Sequence, residues 1–211
     1  MMRITDRVLL VEGRDDREVI YQFCNYYGID NQSLFSVETG GGFDSLLKEL
    51  GIRVRTEVKV LGIVVDADAS FNSRWEEIGS ALKIHGYALP TLAIRGGTII
   101  EPPNASRPLI GIWLMPDNQE PGMIEDFLLR LTEEENSLIA RAENAVDSIP
   151  ETEQLFGKTK RSKAIIHTWL AWQEEPGTPL GLAIRRHYLD PTRDPAPLFK
   201  TWLETLFMPT T

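Results

Sequence analysis

Val60-Leu61-Gly62-Ile63-Val64-Val65-Asp66-Ala67-Asp68 is the stretch on which the fold turns. Six residues without a polar side chain, ending abruptly in two acids, read as a strand buried on both faces, since a half-wetted strand would alternate. The same grammar appears upstream, where Arg7-Val8-Leu9-Leu10-Val11 runs into Glu12-Gly13, and downstream, where Leu109 to Met115 runs into Pro116-Asp117-Asn118. Between these runs the pattern is helical. Val19, Ile20, Phe23 and Tyr27 recur at helical spacing from Asp15 to a stop at Gly28, and Phe43, Leu46, Leu47 and Leu50 follow Gly40-Gly41-Gly42. Arg74 to Ile84 is helical in character, and another helix begins at Gly122-Met123-Ile124. A further strand is expected at 34–37 and an edge hairpin between about Ala93 and Ile100. Strands alternating with helices predict an α/β fold, a mostly parallel sheet flanked by helices. Residues 1–132 are expected to form this domain. Residues 133–211, helical with joints at Pro150, Pro176, Pro179, Pro191, Pro195 and Pro197, form a C-terminal extension that packs on the domain or makes a dimer interface.

Open sheets of this kind carry their chemistry beyond the C-terminal ends of the strands. Glu12, Asp66 and Asp68 all fall there. In an extended chain residues i and i+2 point to one side, so Asp66 and Asp68 are expected to share a small volume, with Glu12 joining from the neighbouring strand. Carboxylates so crowded are stabilised by a hard divalent cation with oxygen ligands. Asp16, one turn into the following helix, comes back toward the same strand end. The plain alternative is that these acids cap helices and favour helix dipoles.

The pair of motifs resembles the TOPRIM superfamily: Leu9-Leu10-Val11-Glu12-Gly13 matches its glutamate motif and Val64-Val65-Asp66-Ala67-Asp68 its Asp-x-Asp motif, over about residues 5–130. The Glu12-x-x-x-Asp16 spacing looks most like the overcoming-lysogenization-defect (OLD) nucleases. The chain also looks like a small family of uncharacterised stand-alone TOPRIM-like proteins that carry the same Met-Pro-Asp-Asn and Glu-Asp-Phe segments. The resemblance implies Mg²⁺, with Mn²⁺ as a substitute, held by Glu12, Asp66 and Asp68, with Asp16, Glu125 and Asp126 completing a second position. It implies phosphodiester hydrolysis on nucleic acid, Glu12 handling a proton, and a lysine near the domain end, Lys163 or Lys160, facing the developing charge.

Other readings stay open. A metal- or nucleotide-binding module without turnover, dependent on a protein partner, fits the same acids. A haloacid-dehalogenase-like phosphatase would use Asp66 as nucleophile and Asp68 as acid, but leaves Glu12 without a task. The formal charge of −9 argues against a broad grip on nucleic acid. Any basic surface is therefore local, best sought at Lys158, Lys160, Arg161 and Lys163. Gly40-Gly41-Gly42 reads as a flexible turn or a phosphate cradle, and Asp117 as part of a turn. The single cysteine, Cys24, sits among helical apolar residues and reads as a buried hydrophobe. Trp169, Trp172 and Trp202 read as core. No apolar run approaches the length needed to cross a bilayer, and the polar start, Met1 to Asp6, argues against a secretory signal, so a cytoplasmic location is expected.

Overall fold

A computed structural model describes residues 6–133 and 136–208; the polar start at Met1–Thr5 lies outside them. The elements run β1 (Arg7–Val11), α1 (Arg14–Tyr27), α2 (Asn31–Leu34), β2 (Ser36–Thr39), α3 (Phe43–Arg53), β3 (Val60–Asp66), α4 (Phe71–Lys83), β4 (Thr98–Ile100), β5 (Leu109–Met115), α5 (Ile124–Leu129), α6 (Ser137–Asp147), a 3-10 turn (Lys158–Lys160), α7 (Arg161–Leu170), α8 (Leu182–Arg185) and α9 (Ala196–Phe207). The sheet order is β2-β1-β3-β5-β4, parallel except for β4 at the edge. The fold is thus α/β, with a five-stranded, mostly parallel sheet between helices. No helix among the described residues is long and apolar enough to cross a membrane.

The unbroken apolar runs are explained by two cores, one on each face. Leu9, Val11, Val64, Trp113 and Met115 point into one, against α1, α5, α7 and α9. Val8, Leu10, Leu61, Ile63, Val65, Ile110, Ile112 and Leu114 point into the other, against α3 and α4. Successive residues of a strand go to opposite faces, so every position must be apolar when both are covered.

Helix α9 is seated by glycine. Gly62 and Gly111 are register partners on β3 and β5, and together they leave a trench into which Leu206 and Phe207 descend. A Cβ on Gly111 would lie 2.3 Å from Leu206 Cδ2, and one on Gly62 would lie 2.6 Å from Leu9 Cδ1 and 3.0 Å from Phe207 Cζ. Arg7 Nη1 donates to the Phe207 carbonyl at the far end of the same helix. Phe199 and Trp202 of this helix form a continuous aromatic cluster with Trp113 of β5, Phe23 of α1 and Phe127 of α5. Truncating a buried aromatic of this kind typically costs about 3–5 kcal/mol. Trp169 and Trp202 are therefore core, whereas Trp172 is 42 % exposed.

Two local expectations change. The strand expected at 34–37 begins at Ser36, because Asp30 accepts from Ser33 N and turns Asn31–Leu34 into a helical turn. The expected hairpin between Ala93 and Ile100 has only its second arm, β4, which pairs with β5. In place of the first arm, Thr98 Oγ1 holds Ile94 N at 3.0 Å across a turn in which Gly97 has φ 90°.

Candidate functional site

At the C-terminal edge of the sheet, β1, β3 and the starts of α1 and α5 converge on a cleft of about 310 Å³, whose lining includes Glu12, Asp16, Asp66, Glu125, Arg14 and Lys163. Glu12 is placed by the end of β1. Its backbone carbonyl accepts from Gly41 N and Gly42 N at 3.0 Å each, so the triple-glycine loop braces this strand end. With Gly40 N donating to the Val11 carbonyl at 2.8 Å, all three glycine amides are committed to the strand, and the loop is a brace rather than a phosphate cradle. Gly41 and Gly42 have φ of 77° and 98°, which suits residues without a Cβ.

The carboxylates are laced together through backbone amides. Glu12 Oε1 accepts from Asp66 N at 2.9 Å, and Asp66 Oδ1 accepts from Ile124 N at 2.9 Å, at the first turn of α5. Asp16 Oδ2 accepts from Gly13 N at 2.6 Å, which caps α1. Glu125, 2 % exposed, meets Lys163 Nζ at 2.8 Å. The remaining oxygens of Glu12, Asp16 and Asp66 have no hydrogen-bond partner among the described residues, and none is among the buried unpaired atoms. They are therefore not sealed from solvent, and the residues that carry them line the cleft.

Burial raises these acids. Burial pushes the Glu12 carboxyl up to about 7, with Asp68 and Asp16 adding to the push and the Asp66 amide and Arg74 opposing it. Asp16 is raised by burial and then by Glu125 and Asp15. Asp66 is raised well above the usual carboxylate range by burial and then by Asp16, Glu12 and Glu125. Burial works against the charge of Lys163, but Glu125, Asp15 and Asp16 outweigh it and lift its pKa.

Two expected members are committed to other partners and do not line the cleft. Asp68 has φ 51°, so the chain has left the extended conformation, and the i, i+2 parity that would have set it beside Asp66 does not hold. Its backbone bridges Gly122 instead, at 2.8 and 2.9 Å, and its carboxylate takes the Arg74 guanidinium. Asp126 caps α5 by accepting from Met123 N at 2.7 Å, while its other oxygen accepts from Ser162 Oγ. It does not line the cleft. Asp117 accepts from Gln119 N and Glu120 N and pairs with Arg130 at 2.7 Å, a turn and an ion pair, and Lys160 is exposed on the 3-10 turn.

Arg14 and Arg74 were not singled out from sequence. Arg14 lies at the cleft's lip. Arg74, one turn into α4, has its guanidinium 3.6 Å from the centre of the Phe43 ring. An arginine following an acidic pair at that spacing was the available signal.

The donor set is carboxylate oxygen, with neither thiolate nor imidazole in the cleft, which fits Mg²⁺ or Mn²⁺ and not a sulfur-ligated metal. Among the described residues no group of three or more His, Cys, Asp or Glu side chains is gathered so as to hold a metal ion. Glu12, Asp16, Asp66 and Glu125 nevertheless line one cleft, where each of the other three adds to the push on the Asp66 carboxyl.

Neither the curated proteins nor the solved structures include a match to this chain. A family model described as a protein of unknown function (DUF3226) matches residues 6–208, nearly the full length, and the chain therefore belongs to the DUF3226 family.

Proposed function

We propose that the cleft is a divalent-cation site for phosphodiester hydrolysis on nucleic acid, in a TOPRIM-like arrangement related to that of the OLD nucleases. The observation that carries this reading is the convergence of Glu12, Asp16 and Asp66 on one cleft at the C-terminal edge of a parallel sheet, each with one oxygen committed to a backbone amide and one left over. Those three would hold the ion. A bound Mg²⁺ supplies Lewis-acid polarisation of a phosphate oxygen and acidifies water.

The rest falls to the chain. Glu12, at the end of β1 with one oxygen free of the backbone, is the carboxylate placed to accept a proton from an attacking water. Lys163 and Arg14 line the cleft as the cations available to phosphate oxygens. With an overall charge of −9, the phosphate contacts would be few and confined to this rim and to the exposed Lys158 and Lys160. A second reading, a metal-binding module without turnover, is favoured by one fact: Asp68, the second acid of Asp-x-Asp, is engaged by Arg74 outside the cleft lining.

The test is Mg²⁺ and Mn²⁺ titration calorimetry on wild type and Asp66→Ala, paired with cleavage of plasmid, linear and single-stranded DNA and of RNA. Binding and cleavage that are both lost in Asp66→Ala support the nuclease. Binding without cleavage by wild type supports the module, and no binding by wild type refutes both.

A further inference from the structure

We infer that a cleft at the opposite end of the sheet from Glu12 and Asp66 binds a small ligand through a phosphate group held between Arg55 and Arg107. This cleft, about 1500 Å³, opens where β1, β2, β3 and β5 begin, and its lining includes Ser36, Lys59 and Leu109. It shares no lining residue with the acidic cleft and is independent of it.

The two arginines come from different segments and meet at the last turn of α3. Arg55 Nε donates to the Gly51 carbonyl at 2.8 Å, and Arg107 Nη1 donates to the Val54 carbonyl at 2.9 Å. Capping these carbonyls occupies one nitrogen of each side chain, whereas a guanidinium carries five N–H donors. No acid pairs with either arginine among the described residues. Arg107 is the sharper case, because its Nε is closed to solvent and has no partner. A half-buried cation without a counter-charge is costly to keep, and an anion at its open edge offsets that cost. His85 stands at the same turn, its Nε2 3.7 Å from where a Cβ on Gly51 would lie, and that nitrogen is also buried and unpartnered. Burial, then Arg107 and Arg55, hold its pKa below the usual imidazole value.

The acids of the lining do not supply the missing charge. Asp6 is taken by Lys59 at 2.9 Å and Glu38 by Arg53 at 2.5 Å. Glu57 and Glu101 are exposed, and neither pairs with a basic side chain among the described residues. Their charge disfavours a polyanion, so the fitting ligand is free phosphate or a small phosphomonoester and not a nucleic-acid backbone. A phosphate offers enough oxygens to accept from two guanidinium groups at once. Val58, Pro102 and Leu109 give the lining an apolar part that suits the remainder of an ester.

The test is titration calorimetry with inorganic phosphate and with adenosine monophosphate, a chelator present, on wild type, Arg55→Gln and Arg107→Gln. Near-UV circular dichroism checks folding, and the exposed Arg55 supplies the variant that keeps the fold should Arg107→Gln lose it. Wild type is expected to bind, and each variant to bind roughly tenfold more weakly or worse. Equal affinity for the two probes identifies free phosphate as sufficient, and tighter adenosine monophosphate identifies a phosphomonoester. In an NMR titration of the wild type, saturating phosphate should raise the His85 pKa, because the anion offsets the two guanidinium charges. Binding of neither probe by wild type, undiminished binding by folded Arg55→Gln, or a His85 titration unmoved at saturation overturns the inference.

Discussion

Glu12→Gln isolates the electrostatic cost of the cleft. The amide keeps the oxygen that accepts from Asp66 N at 2.9 Å while removing the charge. Burial pushes the Glu12 carboxyl up to about 7 in the folded protein from an ordinary 4.5. A carboxyl whose folded pKa is raised contributes stability that is complete below the unfolded value and is lost as pH rises through the folded one, because the native state then holds a proton that the unfolded state has released. Integrated across that window, the loss is about 1 kcal/mol at pH 5 and about 3 kcal/mol at pH 8. Without divalent ions, Glu12→Gln is therefore expected to be more stable than wild type at pH 8 by about 3 kcal/mol, roughly 6–12 °C in Tm for a chain of this size. At pH 5 the advantage shrinks to about 1 kcal/mol. The assay is thermal and urea unfolding of both proteins with a chelator present at pH 5 and pH 8. Adding Mg²⁺ at pH 8 should close the gap by stabilising wild type more than the variant. A variant no more stable than wild type at pH 8 under chelation would refute the claim that burial of the Glu12 charge outweighs its partners.

Asp126→Ala should cost about 0.5–2 kcal/mol through the lost α5 cap, while Mn²⁺ affinity by calorimetry stays within a factor of about two of wild type; a tenfold loss of affinity would put Asp126 among the ligands after all. Gly111→Ala should destabilise the fold by about 1–3 kcal/mol in urea unfolding by pushing Leu206 and α9 off the sheet, and an unchanged midpoint would mean the trench is not close-packed. Burial pushes the Cys24 thiol up to about 12, so a disulfide reagent at pH 8 should leave the native protein unmodified and react fully in denaturant. Rapid reaction of the folded chain would show that α1 opens.

The main strands and the acids at their ends were legible in the sequence because a strand covered on both faces writes itself as an unbroken apolar run, and chemistry beyond such a run has few places to go. Glu12 and Asp66 followed from that pattern and Asp16 from the helical turn after β1, whereas the sequence left Lys163 and Lys160 as alternatives and only the tertiary structure puts Lys163 at the cleft. What the tertiary structure decided was which of the acids remain uncommitted. Asp68 obeys strand parity only while the chain is extended, and its φ of 51°, set by the bridge to Gly122 far along the chain, sends it to Arg74. Asp126 and Glu125 are adjacent in sequence, yet one caps a helix and the other meets Lys163, a division made by the packing of α5 against α7. The seat of α9 was hidden for the same reason. Gly62 and Gly111 lie in separate strands, and only the register that sets them side by side turns two ordinary glycines into a trench. Local pattern records burial and direction, but the pairing of charges and the fit of surfaces depend on contacts between residues distant in the chain.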